Sequence, residues 1–227
     1  RSRGLGDVYK RQGGEIYIGV VGPVRTGKST FIKRFMDVAV LPYMEDAAQK
    51  TRAQDELPQS AGGRTITTTE PKFIPQEAVE LKLAGEVTIR VRLVDCVGFM
   101  VEGAAGHLED GAERLVKTPW YDHEIPFTQA AELGTRKVIT DHSTIGVVVT
   151  TDGSFSDLPQ ETYLDAENQA ISELKKLHKP FLVLVNSSHP SSRTAREAAE
   201  RIEKQHSVAA MPVNCAQLSE EDIRQIM

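Results

Sequence analysis

Short apolar runs alternate with longer amphipathic segments along most of this chain. Ile16-Tyr17-Ile18-Gly19-Val20-Val21 is compact and rich in β-branched residues, the pattern of a buried strand. A glycine-rich turn follows. From Lys28 to Leu41, Phe31, Ile32, Phe35, Met36 and Ala39 recur at helical spacing, and Pro42 predicts the stop. Tyr43–Gly63 is polar and reads as loop, and Arg64–Glu70 is threonine-rich ahead of Pro71. Val79–Leu83 and Val87–Asp95 flank Gly85-Glu86. In the second run Val87, Ile89, Val91 and Leu93 alternate with polar residues, which predicts a hairpin.

Cys96–Ser143 is long and mixed, with a helix expected over Gln129–Asp141. Beyond it the pattern predicts strands at Thr144–Thr150, Phe181–Asn186 and Val208–Val213. Helices are expected at Leu164–Leu177 and Thr194–Gln205, and Ser219 suits the N-cap of a last helix. Strands alternating with helices imply an α/β fold, a mostly parallel, doubly wound sheet with one antiparallel strand.

The turn after the first strand carries the chemistry. Gly22-Pro23-Val24-Arg25-Thr26-Gly27-Lys28-Ser29 matches G-x-x-x-x-G-K-[ST], and Thr30 continues it into the helix. A buried strand before and a helix after are the context this phosphate-binding loop (P-loop, Walker A) requires. Glycines let backbone N–H groups face phosphate oxygens, and the helix N-terminus adds partial positive charge. Lys28 is expected on the β- and γ-phosphates of a nucleoside triphosphate and Ser29 on its Mg²⁺. A second metal-side group is expected at the end of another strand, and Asp95 supplies it. Gly98 completes D-x-x-G, and its N–H suits the γ-phosphate. Between these elements Thr65, Thr67, Thr68 and Thr69 fall where a P-loop switch protein carries a sensor threonine. Thr68 and Thr69 are preferred, with Thr69 on the metal.

A guanine-specific site would carry N-K-x-D after the strand ending at Val185. This chain has Asn186-Ser187-Ser188-His189-Pro190, so the acceptor for the guanine edge is absent and ATP, or a tolerant site, is favoured. Phe99 stands where many GTPases place a water-orienting glutamine, so hydrolysis is expected to be slow or completed from elsewhere. Arg25, Arg52, Arg64 and Arg114 are the candidate cations. A regulatory GTPase with a degenerate base site, and a scaffold that binds nucleotide without turnover, remain alternatives.

Composition sets boundaries on this picture. The 227 residues suit one domain, and no apolar run is long enough to span a bilayer. The net charge of -5 argues against nonspecific nucleic-acid binding. Cys96 and Cys215 lie in apolar sequence and read as buried thiols of a reducing compartment. Residues 1–12 lack periodicity, and Asp7–Gln12 resembles translated adapter sequence, so they are expected to be non-native. The domain is then 13–227, an expected fragment of a longer protein.

Several strings together resemble the N-terminal ATPase domain of stage IV sporulation protein A. They are Gly22–Thr30, Arg52–Ser60, Thr68–Phe73, Arg92–Gly98, Thr118–Tyr121, Gly134–Val138 and His142–Val147. The resemblance implies a P-loop NTPase of the translation-factor-related type that uses ATP. It implies Lys28, Thr68, Thr69 and Asp95 as catalytic residues, and a Mg²⁺-dependent hydrolysis that drives self-assembly into the basement layer of the spore coat. By the same resemblance the partners are further copies of the chain, a small membrane-surface anchoring protein and other coat proteins. The location is the mother-cell cytoplasm at the forespore surface. Middle and C-terminal domains of the family are absent from this chain.

Overall fold

The computed structural model describes residues 15–58, 69–82, 88–104, 108–109 and 111–226. The first strand, β1 (Glu15–Val21), lies at the centre of a six-stranded sheet. Ile16, Ile18 and Val20 pack into the core on one face of it and Val21 on the opposite face, so β1 is covered on both sides as its continuous apolar run predicts. Its neighbours are β3 (Thr88–Asp95) and β8 (Ile145–Thr151), both parallel to it. β9 (Phe181–Asn186) and β10 (Ala210–Val213) continue the sheet in parallel. β2 (Lys72–Lys82) closes the other edge antiparallel to β3, giving the order β10-β9-β8-β1-β3-β2.

The helices α1 (Lys28–Phe35), α2 (Ala47–Asp55) and α6 (Glu220–Ile226) cover one face. Phe31, Ile32 and Phe35 of α1, Ala53 of α2 and Ile223 of α6 share a core with Ile16, Ile18, Leu93 and Val149. On the other face α4 (Leu164–Lys176) and α5 (Arg193–His206) contribute Ala170, Ile171, Leu174, Ala198 and Ile202. The turn that ends α3 (Phe127–Lys137) contributes Val138 and Ile139. This is the doubly wound architecture the pattern predicts, with its antiparallel member in place.

Three expectations need correction, and one mixed segment gains detail. The helix expected over Lys28–Leu41 is α-helical only to Phe35. It then widens into a π-helical turn, Met36–Val40, and a 3₁₀ turn, Leu41–Tyr43, ahead of the polar segment. The Tyr43–Gly63 stretch is not loop throughout, because α2 begins where the Asp46 carboxylate accepts the N–H groups of Ala48 and Gln49. The first hairpin strand starts at Lys72 rather than Val79, and a register shift between Ile74 and Val79 absorbs Pro75 on this edge strand. Within Cys96–Ser143 the chain forms two small antiparallel pairs before α3. These are β4 (Leu108–Glu109) with β5 (Ala112–Glu113), and β6 (Leu115–Thr118) with β7 (Tyr121–Pro126). The Ser219 cap is present: its hydroxyl accepts the Asp222 N–H at 3.2 Å, and the Asp222 carboxylate accepts the Ser219 N–H at 2.8 Å.

Both cysteines are free and buried. Burial pushes the Cys96 thiol up to about 11 and the Cys215 thiol to about 12, so neither is a thiolate at ordinary pH. An aromatic disulfide reagent at pH 8 is therefore expected to label neither cysteine in the folded protein and both after denaturation. Rapid labelling without denaturant would contradict this packing. No helix among the described residues is long and apolar enough to cross a membrane.

Candidate functional site

β1 and β3 lie side by side and parallel, so the turns that leave their C-terminal ends meet. The loop after β1 bends through positive φ at Gly22 (132°), Arg25 (59°) and Gly27 (96°), the backbone habit from which anion-binding nests are built. Gly27 is also the N-cap of α1 and brings no side chain to the helix end, leaving the first N–H groups to an outside acceptor. Side chains cannot be added here without collision. A Cβ at Gly22 would strike the Val149 carbonyl, and one at Gly27 would strike the Asn186 side-chain amide.

The loop is held from three sides. The Thr26 hydroxyl donates to the Val149 carbonyl at 2.6 Å and lies 3.0 Å from the Pro23 carbonyl. Val24 N–H donates to Phe99 O at 2.9 Å and Phe99 N–H to Gly22 O at 3.0 Å, which joins the loop to the turn after β3. Asn186, at the end of β9, donates its amide to Thr26 O at 2.9 Å and accepts Cys215 N–H at 3.0 Å. In the sequence Asn186 stands at the first position of the guanine motif, whose Lys and Asp positions hold Ser187 and His189 here. Its bracing role depends on the β9 end reaching the loop across the sheet, which local sequence does not show.

Lys28 is buried, and its ammonium donates to the Pro23 carbonyl at 2.5 Å. Burial holds its pKa below the ordinary lysine value, only partly offset by the nearby Asp95 carboxylate. Ser29 is exposed, and its hydroxyl donates to Asp95 Oδ2 at 2.8 Å. Asp95 caps β3 and also accepts the Cys96 N–H at 2.9 Å. Desolvation raises its pKa, outweighing the Ser29 hydrogen bond and the pull of Lys28. The structure thus brings Lys28, Ser29 and Asp95 together at one mouth. Among the described residues no three His, Cys, Asp or Glu side chains are grouped to hold a metal unaided. One hydroxyl and one carboxylate fit instead a cation held jointly with phosphate oxygens and water, the usual manner of Mg²⁺.

Gly98 (φ 104°) touches the same mouth, since a Cβ there would strike Gly22 O and come within 2.7 Å of the Lys28 ammonium. Its N–H is already engaged, donating to the Thr135 hydroxyl at 3.1 Å. Thr69 is buried, and its carbonyl lies against Gly134 of α3. Thr65, Thr67, Thr68 and Arg64 lie outside the described residues. Thr30, half-buried, follows Ser29 on α1, and Arg25 is an exposed residue of the loop. Arg52 lies on exposed α2, and Arg114 stacks on the Phe127 ring at 4.3 Å. Phe99 is buried with its backbone paired to Pro23, so it orients no water. The contribution of Gly134 and Thr135 was not read from the sequence, although both stand in the Gly134–Val138 string.

A strand, a glycine-bent loop carrying a buried lysine, a helix opening on that loop and an acid at the end of the adjacent parallel strand define a P-loop NTPase domain. The family model for stage IV sporulation protein A, ATPase domain, matches residues 4–227, and the chain belongs to that family. Proteins named stage IV sporulation protein A are 50% identical in Clostridioides difficile (strain 630) and 46% identical in both Bacillus anthracis and Bacillus subtilis (strain 168). Each match covers 97% of this chain. The chain spans 45% of the length of these relatives. A crystal structure of a mutation variant of SsGBP shares the fold at 12% identity with a TM-score of 0.50, covering 96% of this chain and 55% of that one.

Proposed function

We propose that this domain binds Mg²⁺ and ATP at Gly22–Thr30 and hydrolyses the terminal phosphate slowly. The observation that carries the reading is the convergence of Lys28, Ser29 and Asp95 on a loop whose glycines tolerate no side chain. Lys28 would hold the β- and γ-phosphates, and Ser29 and Asp95 the metal, which would neutralise phosphate charge. Thr68 and Thr69 would sense the γ-phosphate. Choice of adenine is supported by the segment after β9, where Ser187-Ser188-His189 offers no carboxylate to a guanine edge.

The antiparallel β2 beside β3 and the D-x-x-G turn support assignment to the translation-factor-related branch of P-loop proteins. Family membership supports the wider role: turnover in the whole protein drives its self-assembly into the basement layer of the spore coat. That role would lie in the mother cell at the forespore surface, with a small membrane-surface anchoring protein and other coat proteins as partners. Phosphate release from ATP, followed with sedimentation in a full-length family member carrying this domain, tests both levels. Mg²⁺-dependent release that chelation abolishes, together with pelletable polymer, is the expected outcome. Binding without release would leave a nucleotide-holding scaffold, for which buried Phe99 is the favouring observation.

A further inference from the structure

Two groups assigned to the γ-phosphate touch consecutive residues of one helix. The N–H of Gly98 is held by the Thr135 hydroxyl at 3.1 Å, and the carbonyl of Thr69 lies against Gly134, where a Cβ would collide with it. Thr135 is fully buried and donates its own proton to Ala131 O at 2.8 Å, so its oxygen is left as an oriented acceptor aimed at Gly98. Gly98 in turn lies against Gly22 O and the Lys28 ammonium, at the place where a terminal phosphate would arrive. One N–H pointing at the Thr135 oxygen cannot also be well aligned on a phosphate oxygen.

We propose that Gly134-Thr135 on α3 is the latch of the nucleotide switch. Thr135 is a positioning residue that holds the Gly98 N–H in the absence of a γ-phosphate and yields it when one binds. This rests on the nucleotide-binding reading above and extends it. Close contact of Gly134 with Thr69 means that movement at either sensor is felt by the same turn of α3. The far end of that helix carries the response: Phe127 begins α3, stacks under Arg114 and donates its N–H to Arg114 O at 2.8 Å, next to the β6–β7 pair, which presents exposed Leu115 and Tyr121.

The test compares ADP and a non-hydrolysable ATP analogue, each with Mg²⁺, by calorimetry on the 227-residue chain. Thr135→Val removes the acceptor at nearly constant volume, and Thr135→Ser keeps it. Removing the acceptor penalises the state in which Gly98 turns to Thr135, so Thr135→Val should raise the triphosphate-to-diphosphate affinity ratio. The expected rise is roughly two- to tenfold, the worth of one neutral hydrogen bond. Thr135→Ser should restore the parent ratio. An equal change for both nucleotides, or an unchanged ratio, would overturn the latch while leaving nucleotide binding intact. Absence of binding by the parent chain would instead overturn the nucleotide reading, and the latch with it. If Thr135→Val does not fold, the Gly98 amide resonance of the parent decides. It should shift between the ADP and triphosphate complexes, and an identical resonance in both would contradict the latch.

Discussion

Lys28→Ala is expected to weaken triphosphate binding by about a hundredfold or more while leaving the domain folded. Hydrogen bonds to charged groups contribute roughly 1.5–3 kcal/mol each, and two such bonds to the β- and γ-phosphates account for that loss. Survival of the fold follows from the ligand-free geometry. The ammonium is buried against a single carbonyl, and desolvation lowers its pKa. A lysine whose folded pKa is depressed binds its proton more tightly in the unfolded chain. Its charge therefore lowers folding stability at neutral pH, and that cost disappears as pH rises towards the ordinary lysine value. Removing the side chain deletes this cost along with the function. Calorimetric titration with ATP, beside a thermal melt of the ligand-free variant, measures both. Parent-like affinity in Lys28→Ala would place the phosphate site elsewhere.

Changing Thr68 and Thr69 together to alanine is expected to separate binding from turnover. Ground-state affinity rests on loop amides, on Lys28 and on the metal held by Ser29 and Asp95. None of these contacts needs Thr68 or Thr69: Thr69, expected on the metal, would be one ligand among several, and its backbone lies against α3. The double variant should bind ATP within a few-fold of the parent. Phosphate release should fall by roughly a hundredfold or more, the scale seen when a group that acts on developing charge is removed. In a full-length family member the same pair should block ATP-dependent polymer, whereas Lys28→Ala should lose binding, release and polymer together. Normal polymer from a double variant that no longer releases phosphate would show that turnover does not drive assembly.

The parallel core was legible because its strands are buried on both faces. Unbroken apolar runs such as Ile16–Val21 and Phe181–Asn186 leave few other readings, and the loop motif between β1 and α1 marked the candidate site. What local pattern concealed is held by contacts between distant segments. The turn after α3 widens into a π-helical segment, Val138–His142, whose carbonyls at Ile139 and Thr140, with that of Ser143, are taken by the Lys179 ammonium some forty residues away. Helix α2 is short, polar and mostly exposed, so only its Asp46 cap marks it. The same limit applied at the site. Lys28, Ser29 and Asp95 have spacing signatures. Asn186 and Thr135 act through single hydrogen bonds to Thr26 and Gly98 that only the folded sheet and α3 create.

The claim that this loop serves ATP is tested most directly by titrating the 227-residue chain with ATP and with GTP in Mg²⁺ under one set of conditions. The segment Asn186–His189 supplies no carboxylate for guanine, so ATP should bind with the higher affinity, and chelating the metal should weaken it. GTP affinity equal to or above that for ATP would contradict the account and return the domain to the guanine-nucleotide switches.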